Sequence, residues 1–407
     1  MRMTANRRFV FSVSRRLAHS EWSAVENERA YGAGGEGAWG SGENYEAFFV
    51  FGGEVDSRTG LLVNLAEIKR RIGPLIEDRY DHRYLNLDTP PFDRLRPTPE
   101  NVARELLREA QDACRGMRVE PAACHLRESA ASGATAYAAG DVERDCSLSF
   151  SAARRTYSPQ LSDAENRELF GRAASPAGHG HGYTLRVTLG GPVDEASGVI
   201  APHAEVSAAL HELRELLDHR NLALDVRELA GEPLTTENLA RFVFRELSKR
   251  VPVARVHLAE SPEFFAEFDG RAVNLGLERS FSAAHRLAVP AFSEAENLAL
   301  FGRCANRNGH GHRYTVQATV TASYDERSGT VFRLDRLDSV LRESLAAWDR
   351  RHLDLETDDF RGAPSTGENL LLRLFPRLDE RLGGTLDRLR LFETANNRLT
   401  LRRGAIA

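Results

Sequence analysis

The chain has 407 residues, a net charge of −5 at neutral pH, 42% hydrophobic residues and 28% charged residues. This balance fits a globular chain of two to four ordinary domains and argues against a nucleic-acid surface, and no apolar run is long enough to span a membrane. Four cysteines (Cys114, Cys124, Cys146 and Cys304) are too few for a disulfide scaffold at this length, and the first residues lack the apolar core of a signal peptide, so a cytoplasmic setting is expected.

The first pattern along the chain is FSVSRRL, from Phe11. Glu26-Asn27 and the aromatic-glycine pair Tyr31-Gly32 follow it. WGSGENY, from Trp39 to Tyr45, runs into YEAFFVFGG, whose alternation predicts a strand. LAEIKRRIGPLIEDRY then places Ile68, Ile72, Leu75 and Ile76 on one helical face. Asp81-His82 lies in YDHRYLNLD. PTPEN, from Pro97, predicts a second helix, with Thr98 as N-cap, Pro99 at the first position and Glu100 near the positive end. CHLRES, holding Glu128, reads as a strand.

The same markers then return twice in the same order. FSAARRT begins at Phe150 and FSAAHRL at Phe281. PAGHGHGY and NRNGHGHRY stand where WGSGENY stood. LDHRNLALD carries Asp218-His219, whereas WDRRHLDLE carries Asp349-Arg350. PLTTEN and PSTGEN repeat the helix start, and Glu260 and Glu393 close their units. Chance does not align so many markers three times, and the units are residues 1–141, 142–270 and 271–407. Each reads strand, strand, helix, helix, strand, strand, an α+β unit of about 130 residues, large enough for its own core.

The third unit holds the chemistry. On a strand, His310 and His312 point to one face, and His285 on the preceding strand of a hairpin can meet them. An isolated HGH reads first as a glycine-rich turn, but the partner His285 and the place in the repeat favour metal binding. Three histidines with an open fourth position describe a catalytic zinc site, which polarises a carbonyl or activates a hydroxyl. Cys304, six residues before His310, would lie beside that cation with a lowered pKa and act as a base. The other cysteines read as inert.

These motifs resemble the 6-pyruvoyltetrahydropterin synthase family, once per unit and over nearly the whole chain. The third unit carries FSAAH, CANRNGHGHRY, PSTGEN and ETANN. The resemblance implies a tunnelling fold: three units close their sheets into one barrel with helices outside, two barrels stack, and active sites lie between subunits. It implies that His285, His310 and His312 bind Zn2+, that Cys304 is the base, and that an Asp-His pair assists Cys304. Glu393 would anchor the pterin ring, and Thr366 would also meet the substrate. The reaction implied is that of a lyase that removes triphosphate from 7,8-dihydroneopterin triphosphate and tautomerises the side chain.

The departures are complementary. Arg350 replaces the relay histidine in unit three, while Asp81-His82 and Asp218-His219 survive in units one and two. There, Arg15 and Arg154 replace the first zinc histidine, and Gly34 (or a neighbour) and Ala173 replace the cysteine. Unit one has Ser41 and Glu43 for the HGH pair, whereas unit two keeps His179 and His181 beside a cation. The expectation is a pseudo-trimer with one composite site per chain, an Arg15–Glu43 ion pair in place of the first metal, and a homodimer of pseudo-trimers. Its partner would be a small pterin, with no nucleic acid and no membrane. A 6-carboxytetrahydropterin synthase of the queuosine pathway and a catalytically silent pterin-binding protein are the competing readings. The Cys-x5-His-Gly-His spacing favours the pyruvoyl type over the carboxy type.

Overall fold

A computed structural model describes residues 2–35, Gly37 and 39–404. Unit one runs β1 (Arg2–Arg15), α1 (Ala24–Tyr31), β2 (Ser41–Gly53), α2 (Leu65–Arg79), α3 (Pro99–Ala113), β3 (Pro121–Arg127) and β4 (Ser132–Tyr137). Unit two repeats this as β5 (Val142–Arg154), α4 (Asp163–Phe170), β6 (His179–Gly190), α5 (His203–Leu217), α6 (Thr236–Leu247), β7 (Val253–Ser261) and β8 (Phe264–Phe268). Unit three gives β9 (Val273–His285), α7 (Glu294–Phe301), β10 (His310–Thr321), α8 (Leu334–Ala346), α9 (Gly367–Arg381), β11 (Leu386–Thr394) and β12 (Asn397–Arg402).

These strands make one antiparallel barrel. Within each unit the first strand pairs with the second, the second with the third and the third with the fourth. Between units, β4 pairs with β5, β8 with β9 and β12 with β1, which closes the ring of twelve. Closure leaves the barrel strands no edge on which another chain could add. Alternation along each strand sends one set of side chains beneath the helices and the other into the lumen. Phe11, Val13, Tyr45, Ala47 and Phe49 thus meet Ile68, Ile72, Ile76 and Leu106 in the core. Burying each isoleucine contributes roughly 2 kcal/mol, so the predicted face of α2 holds that helix on the sheet; Leu75 packs at its margin.

The EN markers prove to be loop anchors. Glu26, Glu165 and Glu296 complete capping boxes with Ser23, Ser162 and Ser293. The following asparagine pins the loop before the helix: Asn297 accepts from Val289 N at 2.7 Å and donates to the carbonyls of Val289, Phe292 and Ser293.

The units interlock in a cycle. Thr98, Thr235 and Thr366 N-cap α3, α6 and α9. Each hydroxyl also donates to a carbonyl of the next unit: Thr98 to Gly198, Thr235 to Gly329 and Thr366 to Gly60. Unit one therefore faces unit two, two faces three, and three faces one.

Candidate metal centre

Identical registers place the equivalent residues of the three units. His285 lies opposite His310 and Ala283 opposite His312; Arg154 lies opposite His179, and Arg15 opposite Ser41. In unit three the hairpin brings His285, His310 and His312 together, with one nitrogen from each within 4.8 Å of the others. The Nε2 atoms of His285 and His310 are 3.1 Å apart. His285 is buried, with Nδ1 3.1 Å from the Ser365 carbonyl. That bond fixes the ring and leaves Nε2 as the free lone pair, a common support for a metal-binding histidine.

Burial lowers the pKa of all three histidines, and that of His285 falls to about 3. Neutral rings are what a metal requires. Gly309 makes the approach possible. Its φ is +70°, and a Cβ there would lie 2.8 Å from the His285 carbonyl and 2.9 Å from His352. The donor set fits a borderline-soft cation such as zinc.

Beside this cluster lie a carboxylate and a thiol. A Glu393 oxygen is 3.8 Å from His312 Nε2 and 4.0 Å from His285 Nε2. Burial raises the pKa of Glu393. Cys304 is half-buried in the turn Gly302–Ala305 after α7. Burial first, and the charge of Glu393 second, push its thiol up. The expected depression of Cys304 is thus not a property of the protein groups around it; a cation at the histidines would have to supply it.

Glu368 is the residue that sequence reasoning passed over as a simple helix-end charge. It is buried, accepts from Leu62 N of unit one at 2.9 Å, and has a pKa raised to about 7 by burial. The signal was available, because PTPEN, PLTTEN and PSTGEN keep this glutamate in all three units. Glu100 likewise receives Ile200 N at 3.3 Å. Thr366, expected at the substrate, is buried, and its hydroxyl caps α9 while donating to Gly60.

Units one and two answer the same electrostatic problem differently. Arg154 pairs with Glu260 and donates to Thr236 at 3.0 Å. Arg15 pairs with Glu128. The expected Arg15–Glu43 pair does not form, because the strand-end glutamate reaches the guanidinium first. In each of these units an internal cation has captured the carboxylate equivalent to Glu393. His179 and His181 remain as a neighbouring pair beside Arg154.

The Asp-His pairs lie elsewhere. Asp81 accepts from Ser12 N at 2.8 Å, and His82 N donates to Ser12 O at 2.7 Å. Asp218-His219 clamps Ser151 in the same way, as Asp349-Arg350 does Ser282. His82, His219 and Arg350 all adopt positive φ to do so. The aspartate is therefore a strand clamp in every unit, even where the histidine is lost. The His82 and His219 side chains are each 83% exposed and touch Asp81 and Asp218 at 2.9 and 3.1 Å. Among the described residues, neither histidine hydrogen-bonds to Cys304 or to the metal histidines.

The family model for 6-pyruvoyl tetrahydropterin synthase matches three times, at residues 4–139, 145–271 and 274–404. The 6-pyruvoyl tetrahydrobiopterin synthase of Drosophila melanogaster is 40% identical over 126 residues, 30% of this chain and 75% of the fly protein. The human protein of the same name is 43% identical over 107 residues, 26% of this chain and 74% of its own. The solved 6-pyruvoyl tetrahydropterin synthase of Caenorhabditis elegans is 34% identical, covers 33% of this chain and 96% of that chain, and has a TM-score of 0.32.

A closed twelve-stranded antiparallel barrel with outer helices, built from three repeats, is a tunnelling-fold protein with all three walls in one chain. The chain belongs to the 6-pyruvoyl tetrahydropterin synthase family. Among the described residues, no helix is long and apolar enough to cross a membrane.

Proposed function

We propose that this chain is a zinc-dependent lyase that converts 7,8-dihydroneopterin triphosphate to 6-pyruvoyltetrahydropterin and releases triphosphate. The observation that carries this reading is the convergence of His285, His310 and His312 beside Cys304 and Glu393 in one unit of three. The site lies at the junction of unit three with unit one, where Asn64 donates to the Leu300 carbonyl at 3.0 Å and Leu62 holds Glu368. Bound zinc would polarise the side-chain oxygens of the substrate and lower their proton affinity. Cys304, as thiolate, would take a carbon-bound proton of the side chain and return one at the neighbouring carbon. The pterin ring presents adjacent N–H donors, which suit a buried carboxylate. Glu393, at the metal end of the site, and the buried Glu368 supply two such carboxylates.

The test is incubation of the full chain with 7,8-dihydroneopterin triphosphate, with product identification and metal analysis. About one zinc per chain is expected, from the single histidine triad. Release of triphosphate with the pyruvoyl product is also expected, and both metal and product should be lost in His310→Ala. A carboxy product would assign the chain to the other branch of the family. Binding without turnover in the zinc-loaded protein would make it a silent binder.

A further inference from the structure

The barrel lumen carries a concentration of charge that the proposed reaction does not use. It encloses about 1340 Å³ and reaches the barrel end bounded by the turns at Gly140 and Gly191. Arginines project into it from several strands. Arg255 is matched by Glu143, Arg388 by Glu267 and Arg402 by Asp387. Arg186, Arg390 and Arg398 have no carboxylate within ion-pair distance among the described residues. Arg390 donates only to the neutral amide of Gln317, at 3.1 Å, and Arg398 lies over the rings of Phe48 and Phe392. Of the other carboxylates that line it, Asp145 accepts from Thr188 and Glu278 from Gln317, while Asp141, Glu195 and Asp269 are exposed to solvent.

Like charges therefore crowd together away from bulk water. Burial and then the Arg388 charge lower the pKa of Arg390; burial and then Arg186 lower that of Arg398 to about 10. Arg388 is itself buried, and among the described residues the Nε–H groups of Arg388 and Arg398 have no acceptor. Buried guanidinium donors without acceptors, beside unmatched positive charge, define a site for a multiply charged oxygen anion. His125 and His257 on the same wall are held down to about 4 by burial, so they stay neutral and add no charge at pH 7.

We propose that the lumen binds an oxyanion of the phosphate class between Arg390 and Arg398, within reach of Arg186, as an internal counter-ion of the closed barrel. Orthophosphate from the surroundings and inorganic triphosphate share this chemistry. The experiment measures thermal unfolding of the full, metal-loaded chain in chloride, then with orthophosphate or triphosphate at matched ionic strength. A rise of about 3 °C at a hundredfold excess over the dissociation constant is expected for a chain of this size. The rise should persist in His310→Ala, which separates the lumen from the metal centre, and vanish in Arg390→Gln/Arg398→Gln. Without added oxyanion that double variant should melt above the parent, because it removes repulsion. If the double variant does not fold, Arg398→Gln alone is held to the same criterion. Equal stabilisation by chloride, loss of the effect in His310→Ala, or an undiminished effect in the arginine variant would each overturn the proposal. A response to triphosphate alone, still lost in the arginine variant, would support it and identify the larger anion as the occupant.

Discussion

At the residue scale, one position distinguishes the two units that lack the histidine triad from the one that has it. A glutamate at the end of each unit's third strand region faces the first ligand position, and burial makes it demand a positive neighbour. Arg15 and Arg154 meet that demand from within the chain; in unit three a bound metal would meet it. Arg15 and Glu128 are both buried. Glu128→Ala would leave a buried guanidinium with its main partner gone, and a loss of about 3–5 kcal/mol in urea unfolding is expected. A loss below about 1 kcal/mol would mean that Arg15 finds water or Glu43 instead. Glu237, the unit-two counterpart of Glu368, makes a second prediction. Burial raises its pKa from the ordinary 4.5 to about 7. The folded state then holds this proton more tightly than the unfolded chain does. The contribution is complete below pH 4.5 and is lost as pH rises through 7. Glu237→Gln keeps the neutral form throughout, so its stability relative to the parent should grow by on the order of 3 kcal/mol between pH 4.5 and 8. Parallel stability curves for the two proteins would show that the carboxyl is already ionised in the folded state.

At the element scale, the site depends on a hairpin whose turn is specified by glycine. Gly309 sits against the His285 carbonyl at positive φ, and Gly178 and Gly40 repeat this contact at the Arg154 and Arg15 carbonyls. Gly309→Ala should separate the two strands at the ligands and reduce zinc affinity by at least tenfold, read by competition with a chelating dye. Unchanged affinity would show that the hairpin yields without moving His285. The histidine triad was legible in the sequence because strand periodicity and a threefold repeat locate it without tertiary knowledge. The α2 face and the threonine N-caps were legible for the same reason, since they rest on local periodicity and local capping. What was not legible depends on contacts between distant segments. Glu128 lies 113 positions from Arg15, and only the folded sheet shows that it reaches the guanidinium before Glu43 does. Glu368 looked like a helix-end charge until Leu62 of another unit closed over it. The lumen arginines were invisible individually, because each reads as an ordinary polar position on an alternating strand.

At the scale of the whole molecule, the three Asp-X clamps all lie at one end of the barrel, because the first strands of the three units run in the same direction. Each clamp is followed by an exposed leucine: Leu87, Leu224 and Leu355 are 69%, 81% and 79% exposed. We propose that these three exposed apolar side chains at one end, beside two exposed histidines, form a face for a second copy of this chain. In that arrangement His82 or His219 of one chain would serve the Cys304 site of the other, which Arg350 cannot serve itself. Leu87→Asp/Leu224→Asp/Leu355→Asp should convert a particle of two 45.2 kDa chains into a single chain that still binds zinc but has lost most of its turnover. Complementation then separates sharing between chains from sharing within one. His82→Ala/His219→Ala and Cys304→Ala should each be inactive alone. Mixed, unfolded and refolded together, they should recover roughly a quarter of parental activity, because half the dimers are mixed and each of those holds one complete site. No recovery, with mixed dimers demonstrated by mass, would place the proton relay within a single chain. Full activity in a parent that sediments as one chain would remove the need for a second copy altogether.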